Sequence, residues 1–106
     1  MVKSFHSTFA AAVAVLLATV PAHAYELQYA PVLPPAAFDH EPTEPYQLFT
    51  MTPDEIVKLC HPAPFTVSVG CTLIDYRIVL IRDDLSATDF DFVKRHEFGH
   101  LNGWVH

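Results

Sequence analysis

Proline placement constrains the fold of this chain more than any other feature of its sequence. Eight of its nine prolines lie between Pro31 and Pro64, and proline fixes φ and removes a backbone donor. Residues 25–50 show neither helical nor strand periodicity over a useful length, so we predict an irregular, partly polyproline II arm there. The aromatic residues of this arm are available to pack on the domain; they are Tyr25, Tyr29, Phe38, Tyr46 and Phe49.

The first 24 residues have the pattern of a secretory signal peptide. Lys3 precedes an apolar run over residues 9–20, and Pro21 ends that run. Residues 22–24 (Ala-His-Ala) then supply a small-x-small cleavage site. A dozen apolar residues fall short of the about 20 that cross a bilayer, which favours cleavage after Ala24 over an uncleaved anchor. We therefore expect an exported protein, secreted or periplasmic, with no stable membrane insertion after cleavage.

Charge and cysteine content narrow the class of protein. The 12 acidic residues outnumber the 6 lysines and arginines, and a formal net charge of −6 argues against a nucleic-acid partner. Only Cys60 and Cys71 are available for bridging, and one disulfide closing the short loop between them is the simplest interpretation in an oxidising compartment. Buried free thiols are the alternative, while zinc binding by these two is disfavoured because no second cysteine pair exists.

Two regions after the arm predict regular structure before the C-terminal helix. Thr52 fits an N-cap with Glu55 as the second half of a capping box, so we expect a helix from Pro53 to near Cys60. Residues 65–69 alternate apolar and polar, as a half-buried strand does, and residues 76–82 predict a second strand. A turn near residues 74–75 would join them, with a bulge or bend at Gly70; a single bent strand is the alternative.

A longer helix is predicted over the C-terminal part of the chain. Ser86 or Thr88 can cap it, and Gly103 can end it with a positive φ. At 100° per residue one set of side chains shares a buried face, whereas a second set points away from it. The first set is Val93, His96, Glu97 and His100; the second is Asp91, Lys94, Arg95 and Asn102.

The last eleven residues form the pattern H-E-x-x-H-x-x-G-x-x-H. His96 and His100 are one helical turn apart, so both imidazoles leave one face and can bind the same metal ion. Gly103 lets the chain turn sharply, which brings His106 back as a third nitrogen ligand. Three histidines leave one tetrahedral position open, which is the catalytic form of a zinc site. Surface positions are the simplest interpretation of two other histidines, His40 and His61.

Over residues 86–106 the chain resembles the metzincin group of zinc metallopeptidases. The resemblance implies that zinc is bound by three ligands, that Glu97 is the general base and that Gly103 is the turn glycine. The three ligands it implies are His96, His100 and His106. It also implies that the strand near residues 76–82 offers an edge to an extended peptide or protein substrate. Metzincins continue into a Met-containing turn, whereas this sequence stops at His106. The α-carboxylate of His106 would then either block the open metal position or add negative charge that holds the cation more tightly.

Together these features predict a small α+β fold. The chain is expected to have three parts: a signal peptide over 1–24, an irregular Pro-rich arm over 25–50, and a minimal zincin-like domain over 51–106. The leading function is zinc-dependent peptide hydrolysis outside the cytosol, with Glu97 taking a proton from water. A non-catalytic exported protein in which zinc has a structural role is the alternative. A third class is an interaction module that retains the motif without metal.

Overall fold

The computed structural model describes residues 24–27, 31–61 and 68–106. Except for Ala24, the predicted signal peptide lies outside these residues. The strands and helices follow in the order β1 (Gln47–Met51), α1 (Pro53–Cys60), β2 (Gly70–Leu73), β3 (Ile78–Arg82) and α2 (Ala87–Leu101). Short 3-10 turns lie at Ala36–Phe38 and Ile74–Tyr76. This is the small α+β domain predicted from the sequence, with its C-terminal helix in place.

The three strands form one mixed sheet in the order β1-β3-β2. β1 runs parallel to β3, and β2 runs antiparallel to it. The prediction that the strand before α2 offers a free edge is therefore wrong, because β3 is hydrogen-bonded on both sides. The last four of its five residues, Val79–Arg82, are buried, as suits a central strand. Within the described chain, the sheet edges belong to β1 and β2.

β1 corrects the prediction of an irregular arm over residues 25–50. The last four of those residues, 47–50, belong to a strand, whereas 31–46 carry only the 3-10 turn at Ala36–Phe38. The strand escaped detection because its sequence does not alternate and its pairing is non-local: Gln47 lies opposite Ile78 and Met51 opposite Arg82. Parallel pairing of this kind leaves no local turn signal.

The β2–β3 connection confirms a turn where the sequence predicts one. Ile74–Tyr76 form it, and the antiparallel pairing of the two strands excludes a single bent strand. β3 begins two residues later than predicted, at Ile78, because Arg77 has a left-handed conformation with φ 54°.

Gly70 is the first residue of β2 rather than a bulge or bend. A Cβ there would lie 2.7 Å from the carbonyl oxygen of Leu80, so glycine permits the close approach of the two strands. The strand predicted over 65–69 is not observed where it can be compared. Ser68 and Val69 precede β2 without belonging to it, and residues 65–67 lie outside the described ranges.

α1 and the disulfide are both confirmed. The Thr52 side chain accepts from the backbone N–H of Glu55 at 3.3 Å, and the Glu55 carboxylate accepts from the N–H of Thr52 at 2.9 Å. This reciprocal capping box starts the helix at Pro53. At its other end, Cys60 forms a disulfide with Cys71, with Cα atoms 5.8 Å apart. The bridge ties the end of α1 to β2.

The sheet lies between the two helices. α2 covers the face that carries the main apolar core, which comprises Leu48, Val79, Ile81, Leu85, Val93, Phe98 and Leu101. Because strand side chains alternate between faces, Leu80 points to the opposite side, where Ile56 of α1 is fully buried. In the described part of the chain, neither helix has the length and apolarity needed to cross a membrane.

Candidate metal centre

The two ends of α2 place the site. Ser86 is the N-cap, since its hydroxyl accepts from the backbone N–H of Asp89 at 3.1 Å. At the C-terminal end, Gly103 has φ 105° and donates to the carbonyl of His100 at 3.1 Å, while Trp104 donates to the carbonyl of Gly99 at 2.9 Å. These two bonds form a Schellman motif, which needs glycine at this position. The predicted role of Gly103 is confirmed, and the chain reverses there toward the helix.

This reversal brings the three predicted histidines together. The Nε2 atom of His100 lies 3.3 Å from Nε2 of His96 and 3.2 Å from Nε2 of His106. Nitrogen ligands of a tetrahedral zinc ion, each about 2.0–2.1 Å from the metal, lie about 3.3–3.4 Å apart. The three side chains can therefore hold one metal ion. His106 is exposed and the other two are half-buried, so the site opens to solvent.

Backbone carbonyls orient two of the rings. Nδ1 of His96 lies 2.6 Å from the carbonyl oxygen of Val32, and Nδ1 of His100 lies 2.9 Å from that of Trp104. A carbonyl only accepts, so each Nδ1 carries the proton and each Nε2 of a neutral ring bears a lone pair. Two such atoms at 3.3 Å repel unless a proton or a cation lies between them. Outer hydrogen bonds of this kind are typical of metal-binding histidines.

The Trp104 ring packs against the three imidazoles. Its ring is nearly parallel to that of His100, with centroids 5.1 Å apart, and it is tilted by 37° on that of His106 at 4.7 Å. The edge contact with His96 has a centroid distance of 5.1 Å. One aromatic side chain thus contacts all three rings and restricts their movement.

Gly99 has a structural role that the sequence analysis missed. It is one of the two unspecified positions between the first two histidines of the motif. A Cβ there would lie 2.8 Å from Cβ of Pro34 and 2.9 Å from Cε3 of Trp104. The glycine therefore lets residues from both sides pack directly on the helix. The available signal was its position, because glycine inside a helix costs roughly 0.5–1 kcal/mol relative to alanine and needs a compensating reason.

The strap, which we define as residues 31–40, is held along α2 by polar contacts. Arg95 donates to both carboxylate oxygens of Asp39, at 3.1 and 2.6 Å, and this lowers the pKa of Asp39. The Asn102 amide donates to the carbonyls of Phe38 and His40, both at 2.8 Å. Arg95 and Asn102, which are predicted to point away from the buried face of the helix, thus bind the strap. It is the strap that carries the Val32 carbonyl to the site.

Glu97 is buried, with 7 % of its surface exposed, and does not belong to the group of possible ligands. The hydroxyl of Thr72 in β2 lies 2.7 Å from Oε1 of Glu97 and 3.2 Å from its backbone carbonyl. Oε2 has no partner among the described residues. Nothing in the sequence pattern singled out Thr72.

His40 and His61 are both exposed and lie outside the histidine cluster. Comparison with protein-family models, with curated proteins and with solved structures gives no match for this chain. The resemblance to metzincins therefore rests on the residues of the motif.

Proposed function

We propose that this chain is an exported zinc metallopeptidase of metzincin type. His96, His100 and His106 would hold the zinc ion, and Glu97 would act as the general base in the hydrolysis of peptide bonds. The observation that carries this proposal is the convergence of three histidine ligand atoms in a solvent-open site: all lie within 4.8 Å of one another, and the two separations from Nε2 of His100, 3.3 and 3.2 Å, suit tetrahedral coordination.

The donor set favours zinc among common metal ions. Three imidazole nitrogens without a carboxylate in the group suit zinc and later transition metals, whereas calcium and magnesium require oxygen ligands. Zinc held by three protein ligands supplies Lewis acidity, which lowers the pKa of water and polarises a carbonyl group.

The environment of Glu97 suits a general base. Thr72 donates to Oε1, and no described residue bonds Oε2, so Oε2 is the oxygen that would take a proton from an attacking water and return it to the leaving amine. Because Glu97 is not in the ligand group, its proton transfer would not compete with metal binding.

The same residue favours catalysis over a purely structural zinc site. A buried carboxylate without a cationic partner disfavours folding, and Glu97 forms no ion pair with any described residue. A structural zinc site does not require that group, whereas a hydrolase requires a general base.

Export is supported by two features. The disulfide between Cys60 and Cys71 is typical of proteins in oxidising compartments, and residues 1–24 have the pattern of a signal peptide.

The test compares the zinc-loaded protein, recovered after export, with its Glu97→Gln variant on a mixed peptide library read by mass spectrometry. At matched zinc occupancy, Glu97→Gln should keep the metal and lose at least about 100-fold in rate. Asp91→Asn, which removes one exposed charge from the same helix, is the matched control and should cleave like wild type.

Equal cleavage by wild type and Glu97→Gln would refute the catalytic assignment. If both bind one zinc ion and neither cleaves any peptide, the structural zinc protein becomes the correct conclusion.

A further inference from the structure

Thr72 makes the only side-chain hydrogen bond to the Glu97 carboxylate among the described residues. Its hydroxyl has one proton, and an ionised carboxylate can only accept. Of its two neighbours, Oε1 at 2.7 Å is closer and more negative than the backbone carbonyl at 3.2 Å. The hydroxyl therefore donates chiefly to Oε1, in a short charge-assisted bond between the edge strand and the helix.

We infer that Thr72 is a positioning residue, which holds Oε1 of Glu97 so that Oε2 is aimed at the water to be deprotonated. The inference rests on the proposed function, because positioning matters only if Glu97 moves a proton. Thr72 itself does not need to touch the metal or the substrate.

The position of Thr72 in the sheet makes it a rigid support. It pairs with Val79 in the buried central strand, so its side chain points to the face that α2 covers. The preceding residue, Cys71, points to the opposite face by strand alternation and is bridged to Cys60 of α1. β2 is thus fixed by strand pairing, by the disulfide and by the bond to Glu97.

Loss of the hydroxyl should leave the carboxylate buried without its hydrogen bond and free to rotate about its terminal torsion. Such torsions are broad, so an unsupported carboxylate spends less time in one orientation. Supporting residues of this kind typically contribute 10- to 100-fold to activity. The loss should appear in kcat, because the substrate makes no contact with Thr72 in this scheme.

The test is a double-mutant cycle on the zinc-loaded full chain, with a cleavable peptide from the library as substrate. Thr72→Val preserves shape and should lower kcat about 10-fold or more with KM within about threefold. Thr72→Ser restores a hydroxyl and should recover most of the rate. In the Glu97→Gln background, Thr72→Val should change the residual rate by less than about twofold.

Three checks keep the result interpretable. Thr50→Val makes the same chemical change at an exposed position of β1 and should leave kcat unchanged. Zinc content and melting temperature show whether each variant is folded and loaded, and Thr72→Ala is a second hydroxyl-free variant that should reproduce the kcat loss.

Three results would overturn the inference. Wild-type kcat in folded, zinc-loaded Thr72→Val or Thr72→Ala would do so while leaving the proposed function intact. An equal loss with and without the Glu97 carboxylate would show that Thr72 acts by another route. A silent, zinc-loaded wild type would instead overturn the proposed function, and this inference with it.

Discussion

The two sides of α2 have different roles: one packs on the sheet, and the other holds the strap beside the histidine cluster. Except for the buried carboxylate of Glu97, the sheet-facing side of α2 is apolar: Val93 and Leu101 are buried in the core cluster. Its strap-facing side holds Arg95, Gly99 and Asn102, which contact residues 34–40 by two ion-pair hydrogen bonds, one close approach and two amide donations. The sheet-facing side stabilises the helix and its packing on the sheet. The strap-facing side holds the segment that orients His96.

The difference is one between non-directional and directional forces. Apolar burial stabilises the fold in proportion to area and has little preference for ring orientation. The hydrogen bond from His96 to the Val32 carbonyl selects one ring nitrogen and one ring plane. Substitutions on the sheet side should therefore change stability with little effect on metal affinity, and substitutions on the strap side should change both.

The largest effect is expected in the core. Ile81 is fully buried in β3 and contacts the core cluster, so Ile81→Ala should lower the free energy of unfolding by about 2–5 kcal/mol. Zinc affinity of the folded protein should change by less than about twofold. Denaturant unfolding of the metal-free protein and chelator competition measure the two quantities. If Ile81→Ala lost as much zinc affinity as a strap-side variant, the proposed difference between the two sides of α2 would be wrong.

Gly99→Ala should come next and affect both quantities. Alanine favours helix by about 1 kcal/mol, but its Cβ would collide with the Pro34 and Trp104 rings, and overpacking costs about 1–3 kcal/mol. We expect lower stability and zinc affinity reduced about 10-fold, because Trp104 contacts all three imidazoles and Pro34 belongs to the strap that carries the Val32 carbonyl. Asp91→Ala, at an exposed position of the same helix, is the control. A stabilised Gly99→Ala protein with unchanged zinc affinity would contradict this role.

Asn102→Ala tests the strap alone. It removes two hydrogen bonds to the carbonyls of Phe38 and His40 and should cost about 1–2 kcal/mol. Amide exchange in residues 36–40 should become faster, and zinc should bind several-fold more weakly as the Val32 carbonyl becomes less fixed. Thr88→Ala at an exposed helix position is the comparison. Unchanged exchange in the strap would show that Asn102 does not hold it.

The smallest effect concerns Asp39 and depends on pH. Arg95 lowers the pKa of Asp39 in the folded state, so the pair contributes stability above the ordinary aspartate pKa of about 3.9. That contribution is lost as the pH falls through the lowered folded-state pKa. Asp39→Asn should therefore have a slightly lower melting temperature than wild type at pH 7, and the difference should shrink toward zero at an acidic pH below the lowered folded-state pKa. A difference that is the same at both pH values would exclude the ion pair as its cause.

Local features of this chain were predictable from the sequence, and non-local ones were not. The capping box at Thr52 and the turn at Gly103 depend on neighbours within a few residues, and both are confirmed. Of the two caps predicted for α2, Ser86 and Thr88, the structure has Ser86. The strand at Gln47–Met51 depends on pairing with β3, far along the chain, and was missed. The edge position of β3 is implied by the resemblance to metzincins and is wrong here, and the run of buried residues in β3 fits its central position.

The candidate site divides in the same way. Spacing alone brought out His96, His100 and His106, because a helical turn and a following glycine fix their relative placement. The strap contacts of Arg95 and Asn102 join residues more than 50 positions apart, and no periodicity reports them. Thr72 likewise reaches Glu97 only through the tertiary packing of β2 on α2.

Zinc binding by wild type and by single histidine-to-alanine variants tests most directly the claim that the three clustered histidines form a metal centre. Elemental analysis and chelator competition on the purified exported protein should give about one zinc per chain for wild type. Alanine at His96, His100 or His106 should each weaken binding at least about 100-fold, while His40→Ala, at an exposed position outside the cluster, should bind like wild type. Less than a tenth of an equivalent in wild type, or equal losses from His40→Ala and His100→Ala, would contradict the assignment of the metal centre.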